Sequence, residues 1–538
     1  MAESLSADVV IVGAGAVGGM AAYKLAQAGV KTLLLEAGPR IDRTAALSRF
    51  AESQHKGPDS PYESTPYAPH PETDRFDQYF INEGPDQFIG TYLRGVGGTT
   101  WHFTGFATRL RPSDLRMHTQ FGVGADWPLS YEELDPWWEE AEKEWGVSGF
   151  EGVVHGAPRK VPYPMPGVPM TYMDKKVAEA VKPLDLTVEP FPHARNSVPF
   201  DGRPPCCGSS SCVPICPIQA KYDGSVHVTK AERAGAQLVE QAVAYHIAVD
   251  NDRKITALHF KRPDGSQGIA RGKIFIIAAH AIETPKLLLM SRGERTPNGV
   301  ANSSKLVGRN LMSQASLDTR ALTAEPVYPY RGPITTAGIR ELRDGEFRAR
   351  HAAIGTSMLN RGWELAIGPL ELSKQLAAKG LHGERLKEEL NRQLSRQLYL
   401  DTAAEMLPDP ENRIVPDFEQ RDALGLPRPR IRIKIDDYTK SGLAVARQRH
   451  EAVCQALQCT DVYTEPISGS VAIIAGTTKM GTNPKTSVVD ANMRSHDHPN
   501  LYLMGLSCFP TAPINPPTLT AVAMAIRSVK QIAADLKS

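Results

Sequence analysis

At 538 residues the chain exceeds what one hydrophobic core supports, since cores stop growing near roughly 250–300 residues, so it holds two domains or one large domain with insertions. Its 41% hydrophobic, 22% charged and 7% aromatic content excludes a disordered or fibrous chain, and 61 basic against 60 acidic residues leave no electrostatic footprint for nucleic acid. Every apolar stretch is broken by Lys, Glu, Pro or Gly before the roughly 20 residues a membrane span needs, so no span is expected.

The start, MAESLSADVVIVGAG, has no basic region ahead of an apolar core and a small-residue cleavage site. The expectation is a chain without an export signal of its own, resident in the cytoplasm or exported alongside a partner that carries the signal. Ala7 to Val12 form a β-branched run ending at glycines, Gly18 to Gln27 have the small residues of a helix packed on a sheet, and Lys31 to Glu36 read as a second buried strand. This is a βαβ unit. Its turn, Gly13-Ala14-Gly15-Ala16-Val17-Gly18, is followed by Glu36 23 residues beyond Gly13. Gly13, Gly15 and Gly18 permit close approach of a pyrophosphate to the helix N-terminus, and Glu36 accepts hydrogen bonds from ribose hydroxyls, so dinucleotide binding is predicted.

Residues 48–90, rich in Pro, Asp, Tyr and Ser, read as an insertion over the surface, as does Pro158 to Pro169. Four of the seven cysteines fall between Cys206 and Cys216, in Cys206-Cys207-Gly208-Ser209-Ser210-Ser211-Cys212-Val213-Pro214-Ile215-Cys216-Pro217. Thiolates are soft ligands for iron–sulfur clusters or zinc, paired CxxC knuckles are missing, and a disulfide between adjacent Cys206 and Cys207 is sterically awkward. Cys454, Cys459 and Cys508 read as buried small hydrophobes. Strands are expected in VAYHIAVD, ITALHF and KIFIIAA between Val243 and Ala279, then a helix through LLLM, a charged surface helix near Leu370 to Gln397, a strand at Leu501 to Leu503 and a closing helix from Leu519 to Leu536. His280, His496 and His498 read as structural.

Glu36-Ala37-Gly38-Pro39, Gly97-Gly98-Thr99-Thr100-Trp101-His102, Ile282-Glu283-Thr284-Pro285-Lys286-Leu287-Leu288-Leu289, Gly476-Thr477-Thr478-Lys479-Met480-Gly481 and Asn515-Pro516-Pro517-Thr518-Leu519-Thr520 resemble the glucose-methanol-choline (GMC) oxidoreductase family over essentially the whole chain. Within it, Ala194-Arg195-Asn196-Ser197, Asp201-Gly202-Arg203-Pro204 and the cysteine block resemble the large subunits of bacterial glucose, gluconate and fructose dehydrogenases. The resemblance implies an α/β fold: an FAD-binding Rossmann-like domain with a second, α+β substrate-binding domain. The expected boundaries are 1–47, 84–125, 200–312 and 466–538 for the discontinuous FAD domain, which carries an iron–sulfur segment at 204–217. The substrate domain is expected at 313–465, with surface insertions at 48–83 and 126–199.

By the same resemblance FAD contacts Gly97, Gly98, Thr99, His102 and Asn515. Cys206, Cys212 and Cys216 hold a three-iron four-sulfur cluster, and Cys207 is left for a disulfide to a small partner subunit, with a cytochrome or quinone as electron acceptor. That assembly implies a periplasmic complex held at a membrane through partners. His102 stands where some relatives attach the flavin covalently; its order, Trp101-His102-Phe103, favours a histidine that packs by the flavin ring.

Oxidising an alcohol by hydride transfer requires a base for the hydroxyl proton and a neighbour that orients the oxygen. In the family a histidine three residues before the GTxxMG glycine is the base and a His or Asn ahead of the last helix is the partner. Asn515 matches the second; the first is Ile473, whose hydrocarbon side chain accepts no proton. His102 is the nearest substitute. Ser313 and Gln314 also replace a commoner Asp-His. Three readings follow: a dehydrogenase of a sugar, glycoside or polyol hydroxyl with an altered base, an electron-relay or scaffold subunit that has lost alcohol oxidation, or an oxidase that reduces oxygen directly.

Overall fold

The computed structural model describes residues 3–54, 56–57, 59–63, 76–90, 92–153, 155–361, 368–468 and 473–537. Two sheets organise them. Strands Val9–Val12 (β1) and Thr32–Leu35 (β2) flank helix Ala16–Gln27 (α1), and Gln237–Val239 (β3), Ile274–Ile277 (β4) and Leu501–Leu503 (β5) complete a five-stranded sheet. Its order is β5-β4-β1-β2-β3, parallel throughout. The runs VVIV and TLLL are buried along their whole length, as a parallel sheet covered on both faces demands. Helix His280–Met290 (α2) follows β4, and the closing helix Thr518–Asp535 (α3) packs on α1.

The second sheet is antiparallel, with strands Thr460–Thr464, Ala315–Leu322, Gln397–Ala404, Ile354–Met358, Ala337–Ile339 and Val188–Pro190 in that spatial order. Ala315 and Leu317 turn one face onto Leu443 and Ala446 of helix Asp437–Ala456, which leaves Ser316, Asp318 and Arg320 on the opposite face. The α/β Rossmann-like sheet and the α+β part expected beside it are thus both present.

The expected surface insertions correct in part. Segment 126–199 supplies helix Tyr131–Trp145, whose Trp138 and Trp145 are completely buried, and the edge strand Val188–Pro190. Trp138 Nε1 donates to Thr520 Oγ1 of α3 at 3.0 Å. A capping box between Ser130 and Glu133 starts this helix, and its Asp135 and Glu142 are buried on the same face as Trp138 and Trp145, where Arg109 and Arg159 pair with them. Segment 48–83 opens inside helix Arg43–Glu52; its Tyr62, Tyr79 and Phe80 are buried, while 64–75 lie outside the described residues. Aromatic side chains in aperiodic sequence carry enough apolar area to seat a loop in a core, which periodicity does not reveal. The charged helix Gly383–Arg396 has no buried residue and lies on the surface as expected.

Candidate active site

A cleft runs over the C-terminal edge of the parallel sheet, lined by Gly13, Gly15, Ala16, Glu36, Gly98, Thr99, Phe103, Ala242 to Ala244, Ala278 to Ala281, Ile474, Leu506 and Thr518 among others. The glycine spacing has a steric cause. Gly13 sits at φ +100°, and a Cβ there would lie 2.4 Å from Ala278 O; a Cβ on Gly18 would lie 1.8 Å from Gly13 O. The first glycine therefore makes the turn and the third lets α1 close on it. Gly15 is the N-cap of α1 and no side chain caps the helix, so its first N–H groups are left for a phosphate. Glu36 directly follows β2, with Oε2 accepting from Ala14 N–H at 2.7 Å and Oε1 from Gly38 N–H at 2.9 Å. Burial raises its carboxyl pKa while those N–H groups oppose the rise. The chain fits a dinucleotide: a cradle that a Cβ would fill, an uncapped helix end and a carboxylate at ribose distance along the sequence.

Across the cleft, Gly97 N–H donates to Ala14 O at 2.9 Å, which docks the short helix Gly98–Trp101 against the glycine turn. Lys221 holds the continuation from behind: its ammonium donates to Trp101 O at 2.9 Å and Phe103 O at 2.7 Å. Burial lowers that ammonium to about 8. His102 caps the short helix, and its ring centroid is 6.2 Å from Tyr62; Thr99, Thr100 and Phe103 are its neighbours that line the cleft. His280 also lines the cleft, at φ +69° and stacked on Tyr92 at 4.4 Å, and burial lowers it to about 4. His496 and His498 are structural: His498 accepts from Ala301 N–H at 3.1 Å, and His496 meets Ser487 Oγ at 2.9 Å.

Sequence reasoning missed the cluster beneath His280. Glu283 Oε2 lies 2.9 Å from Arg94 and 3.0 Å from Lys286, while Oε1 accepts from Tyr79 at 2.7 Å and from Tyr92. Burial would raise the Glu283 carboxyl, but Lys286 and Arg94 hold it well below the usual range. The available signal was the Glu and Lys of ETPK at helical i,i+3 spacing.

Asn515 is buried, with Nδ2 donating to Arg109 O at 2.9 Å; among the described residues its Oδ1 has no hydrogen-bond partner. Gln314 sets the chain just before it, donating to Pro513 O at 3.0 Å and Ile514 O at 3.3 Å. Ile473 is half-buried and enters the two-residue strand Ile474–Ala475, which pairs with Met312–Ser313. Ile474, not Ile473, is the isoleucine that lines the cleft.

The cysteine loop packs behind the same turn. Cys212 and Cys216 are buried, Cys206 is half-buried and Cys207 is exposed. Gly208 N–H approaches Cys206 Sγ at 3.4 Å, Lys221 N–H approaches Cys216 Sγ at 3.4 Å, and Arg195 Nη2 lies 3.6 Å from Cys212 Sγ. Burial raises the Cys206 thiol, which also senses Arg195 and the Cys212 and Cys216 thiols. Tyr62 donates to Pro214 O at 2.5 Å and Arg43 to Cys216 O at 2.7 Å, its guanidinium 4.2 Å from the Trp101 ring. Among the described residues no three His, Cys, Asp or Glu side chains are gathered closely enough to hold one metal ion, so the expected convergence of three sulfurs on a single point is not seen.

Two models described as GMC oxidoreductase match residues 94–316 and 408–525, and one described as FAD binding domain matches residues 8–60. The chain is 40% identical to the fructose dehydrogenase large subunit of Gluconobacter japonicus over 99% of both chains. It belongs to the GMC oxidoreductase family. The GMC chain is also 27% identical to the 2-methyl-1,2-propanediol dehydrogenase of Mycolicibacterium austroafricanum, over 97% of this chain and 94% of that one. Pyridoxine 4-oxidase from Mesorbium loti superposes with a TM-score of 0.63 at 16% identity, covering 98% of this chain and 99% of that one, which supports the fold. This GMC oxidoreductase is thus an FAD-binding enzyme acting on CH–OH groups, with the βαβ turn, Glu36, Gly98 and Thr99 brought to one cleft as the sequence predicts.

Proposed function

We propose that the chain is the catalytic subunit of a dehydrogenase complex that oxidises a hydroxyl of a sugar or polyol, with residues 313–465 forming its substrate-binding part. The full-length 40% identity to a fructose dehydrogenase large subunit carries this reading. Bound FAD supplies the hydride acceptor. The chain's part is to hold it, with Gly13, Gly15 and Gly18 at the diphosphate, Glu36 at the ribose, and Gly97, Gly98, Thr99 and His102 toward the flavin.

Asn515 has a buried Oδ1 free to accept a substrate O–H, and its Nδ2 is anchored to Arg109 O, so its role is to hold the hydroxyl in line. Asn515 is no base near neutral pH. Ile473 supplies no base, and we assign proton acceptance to His102, which adjoins the cofactor-facing segment.

Electrons leave through the cysteine loop. A cluster on Cys206, Cys212 and Cys216 would supply a one-electron relay, and the support is its setting. Lys221 meets Cys216 Sγ through its backbone N–H and Phe103 O through its ammonium, and the Tyr62 hydroxyl donates to Pro214 O while its ring centroid lies 6.2 Å from that of His102, so two residues join the loop to the flavin-side turn. Exposed Cys207 is placed for a small subunit, and a cytochrome is the onward acceptor. Among the described residues no helix is long and apolar enough to cross a membrane, so partners would provide the membrane attachment of a periplasmic complex.

Ile473 favours a second reading, a relay subunit without alcohol oxidation. Anaerobic mixing with fructose, glucose, gluconate and polyols separates the two: bleaching of the flavin band supports the dehydrogenase, and an unchanged band with every compound supports the relay. An electron paramagnetic resonance signal of a three-iron cluster in the oxidised protein tests the cysteine assignment; zinc without iron would refute it.

A further inference from the structure

Helix Asp437–Ala456 ends in a turn with two defining bonds. Gln458 N–H donates to Gln455 O at 3.0 Å and Cys459 N–H to Cys454 O at 2.9 Å, with Gln458 left-handed at φ +51°. This is a Schellman cap, in which the residue two beyond the cap faces the residue three before it, most often through an apolar contact. Here both are cysteines. Cys454 is buried and Cys459 half-buried, both are free thiols, and both pack in the cluster that holds Met173, Val177 and Leu400. The two thiols act on each other's ionisation: Cys454 pushes the Cys459 thiol up, and Cys459 draws that of Cys454 down.

We propose that Cys454 and Cys459 are an oxidisable pair that closes to a disulfide, tying the end of this helix to the edge strand Thr460–Thr464. The reading of these residues as inert small hydrophobes does not account for two thiols at the facing positions of one helix cap, one of them only half-buried. A disulfide needs Cα atoms about 4.4–6.8 Å apart and facing Cβ vectors. The turn brings the pair together, because the Cys459-to-Cys454 backbone bond puts the two main chains in direct contact and the motif sets these two positions against each other.

The oxidant is a small-molecule disulfide. One thiol of the pair loses its proton to solvent and attacks, releasing one external thiolate and forming a mixed disulfide. The other then loses its proton, attacks the protein sulfur of the mixed disulfide and releases the second external thiol. Two protein thiols and one external disulfide become one protein disulfide and two external thiols, so electrons and protons balance. Cys508 is the internal contrast: it is fully buried, its thiol donates to Leu503 O at 2.7 Å, and burial pushes it up to about 12. Disulfides persist in oxidising compartments and are kept reduced in the cytosol, so the pair should be closed only in protein exported to an oxidising space.

Trypsin places both cysteines in one peptide, His450 to Lys479, with no Lys or Arg between. The folded holoprotein is incubated with oxidised glutathione, quenched in acid, unfolded, alkylated, digested and weighed. The expected peptide carries no alkyl group and has lost two hydrogens, dithiothreitol restores two alkylation sites, and Cys508 is alkylated throughout. Full alkylation of both cysteines after oxidation, or a glutathione adduct on Cys459 that never resolves, would overturn the proposal. Cys459→Ala should leave Cys454 alkylated under every condition, and the wild-type measurement stands if that variant does not fold.

Discussion

Asp318 and Asp401 face each other across neighbouring strands of the antiparallel sheet, and replacing one of them tests how the sheet's polar face is charged. Burial and the neighbouring Asp401 carboxyl push Asp318 up to about 7, against 3.8 for the ordinary group, although Tyr399 donates to it at 2.8 Å. The folded state therefore binds a proton that the unfolded chain releases near pH 4. The resulting stability is fully present below pH 4 and is lost as the pH rises through about 7. The difference of about 3 units corresponds to roughly 4 kcal/mol at most, and sharing of the proton with Asp401 brings this to roughly 2–4 kcal/mol. Asp318→Asn keeps the shape and the bond from Tyr399 but does not ionise, so the variant should gain on wild type as the pH rises. With an unfolding entropy of about 2.1 cal/mol/K per residue over the chain, the relative melting temperature should shift by roughly 2–4 °C between pH 4.5 and pH 8. Differential scanning calorimetry at both pH values reads it. A variant equally displaced from wild type at both, or less stable at pH 8, would refute the argument. Asp401→Asn removes a neighbouring carboxyl that helps push Asp318 up, so it should give a smaller gain of the same sign.

Glu36→Ala should cost roughly 1–3 kcal/mol for each of the Ala14 and Gly38 N–H groups it strands, and the purified protein should release less flavin on denaturation than wild type; an unchanged flavin-to-protein ratio would count against Glu36 as a cofactor residue. Gly15 and Gly18 should behave differently. A Cβ at Gly15 meets nothing closer than Gly98 Cα at 4.0 Å, whereas at Gly18 it lies 1.8 Å from Gly13 O. Gly15→Ala should fold with weakened FAD retention and Gly18→Ala should fail to fold, as circular dichroism and flavin content would show. Ile473→His should raise turnover on sugars by up to about 10²–10⁴-fold if a base alone is missing; no change across the substrate panel would mean that the pocket is built around another proton route.

The parallel sheet was legible because strands buried on both faces read as unbroken runs, VVIV and TLLL, with a glycine turn between them whose spacing answers to two backbone oxygens. The antiparallel sheet was not. Its strand ASLDTRAL carries Asp318 and Arg320 on the face away from Leu443, so no apolar run marks it, and its partners lie far away in sequence. Asn515 was found through its motif, but nothing in the sequence pairs Gln314 with the carbonyls of Pro513 and Ile514. Lys221 was missed because a lysine after a cysteine block reads as a surface charge, when its ammonium is in fact buried under three carbonyls. Tyr62 was hidden in a stretch read as surface loop.

Alcohol oxidation needs an exit for a proton and another for electrons, and the two are built differently here. On the side proposed for electrons, Lys221, Arg195, Arg43 and Tyr62 all tie the cysteine loop to its surroundings, which a relay subunit and a dehydrogenase would need equally. The proton side distinguishes them. A chain that had abandoned alcohol oxidation gains nothing from a buried acceptor without a partner, which costs about 1–3 kcal/mol and is removed by any apolar substitution. Asn515 keeps such an acceptor in its Oδ1, and Gln314 spends its own amide on the two carbonyls just before it. The position next door in function, Ile473, has by contrast gone fully apolar. If Asn515 is the orienting group proposed above, its buried acceptor and its anchoring contact, together with an apolar residue at position 473, are what an active enzyme with a relocated base would show.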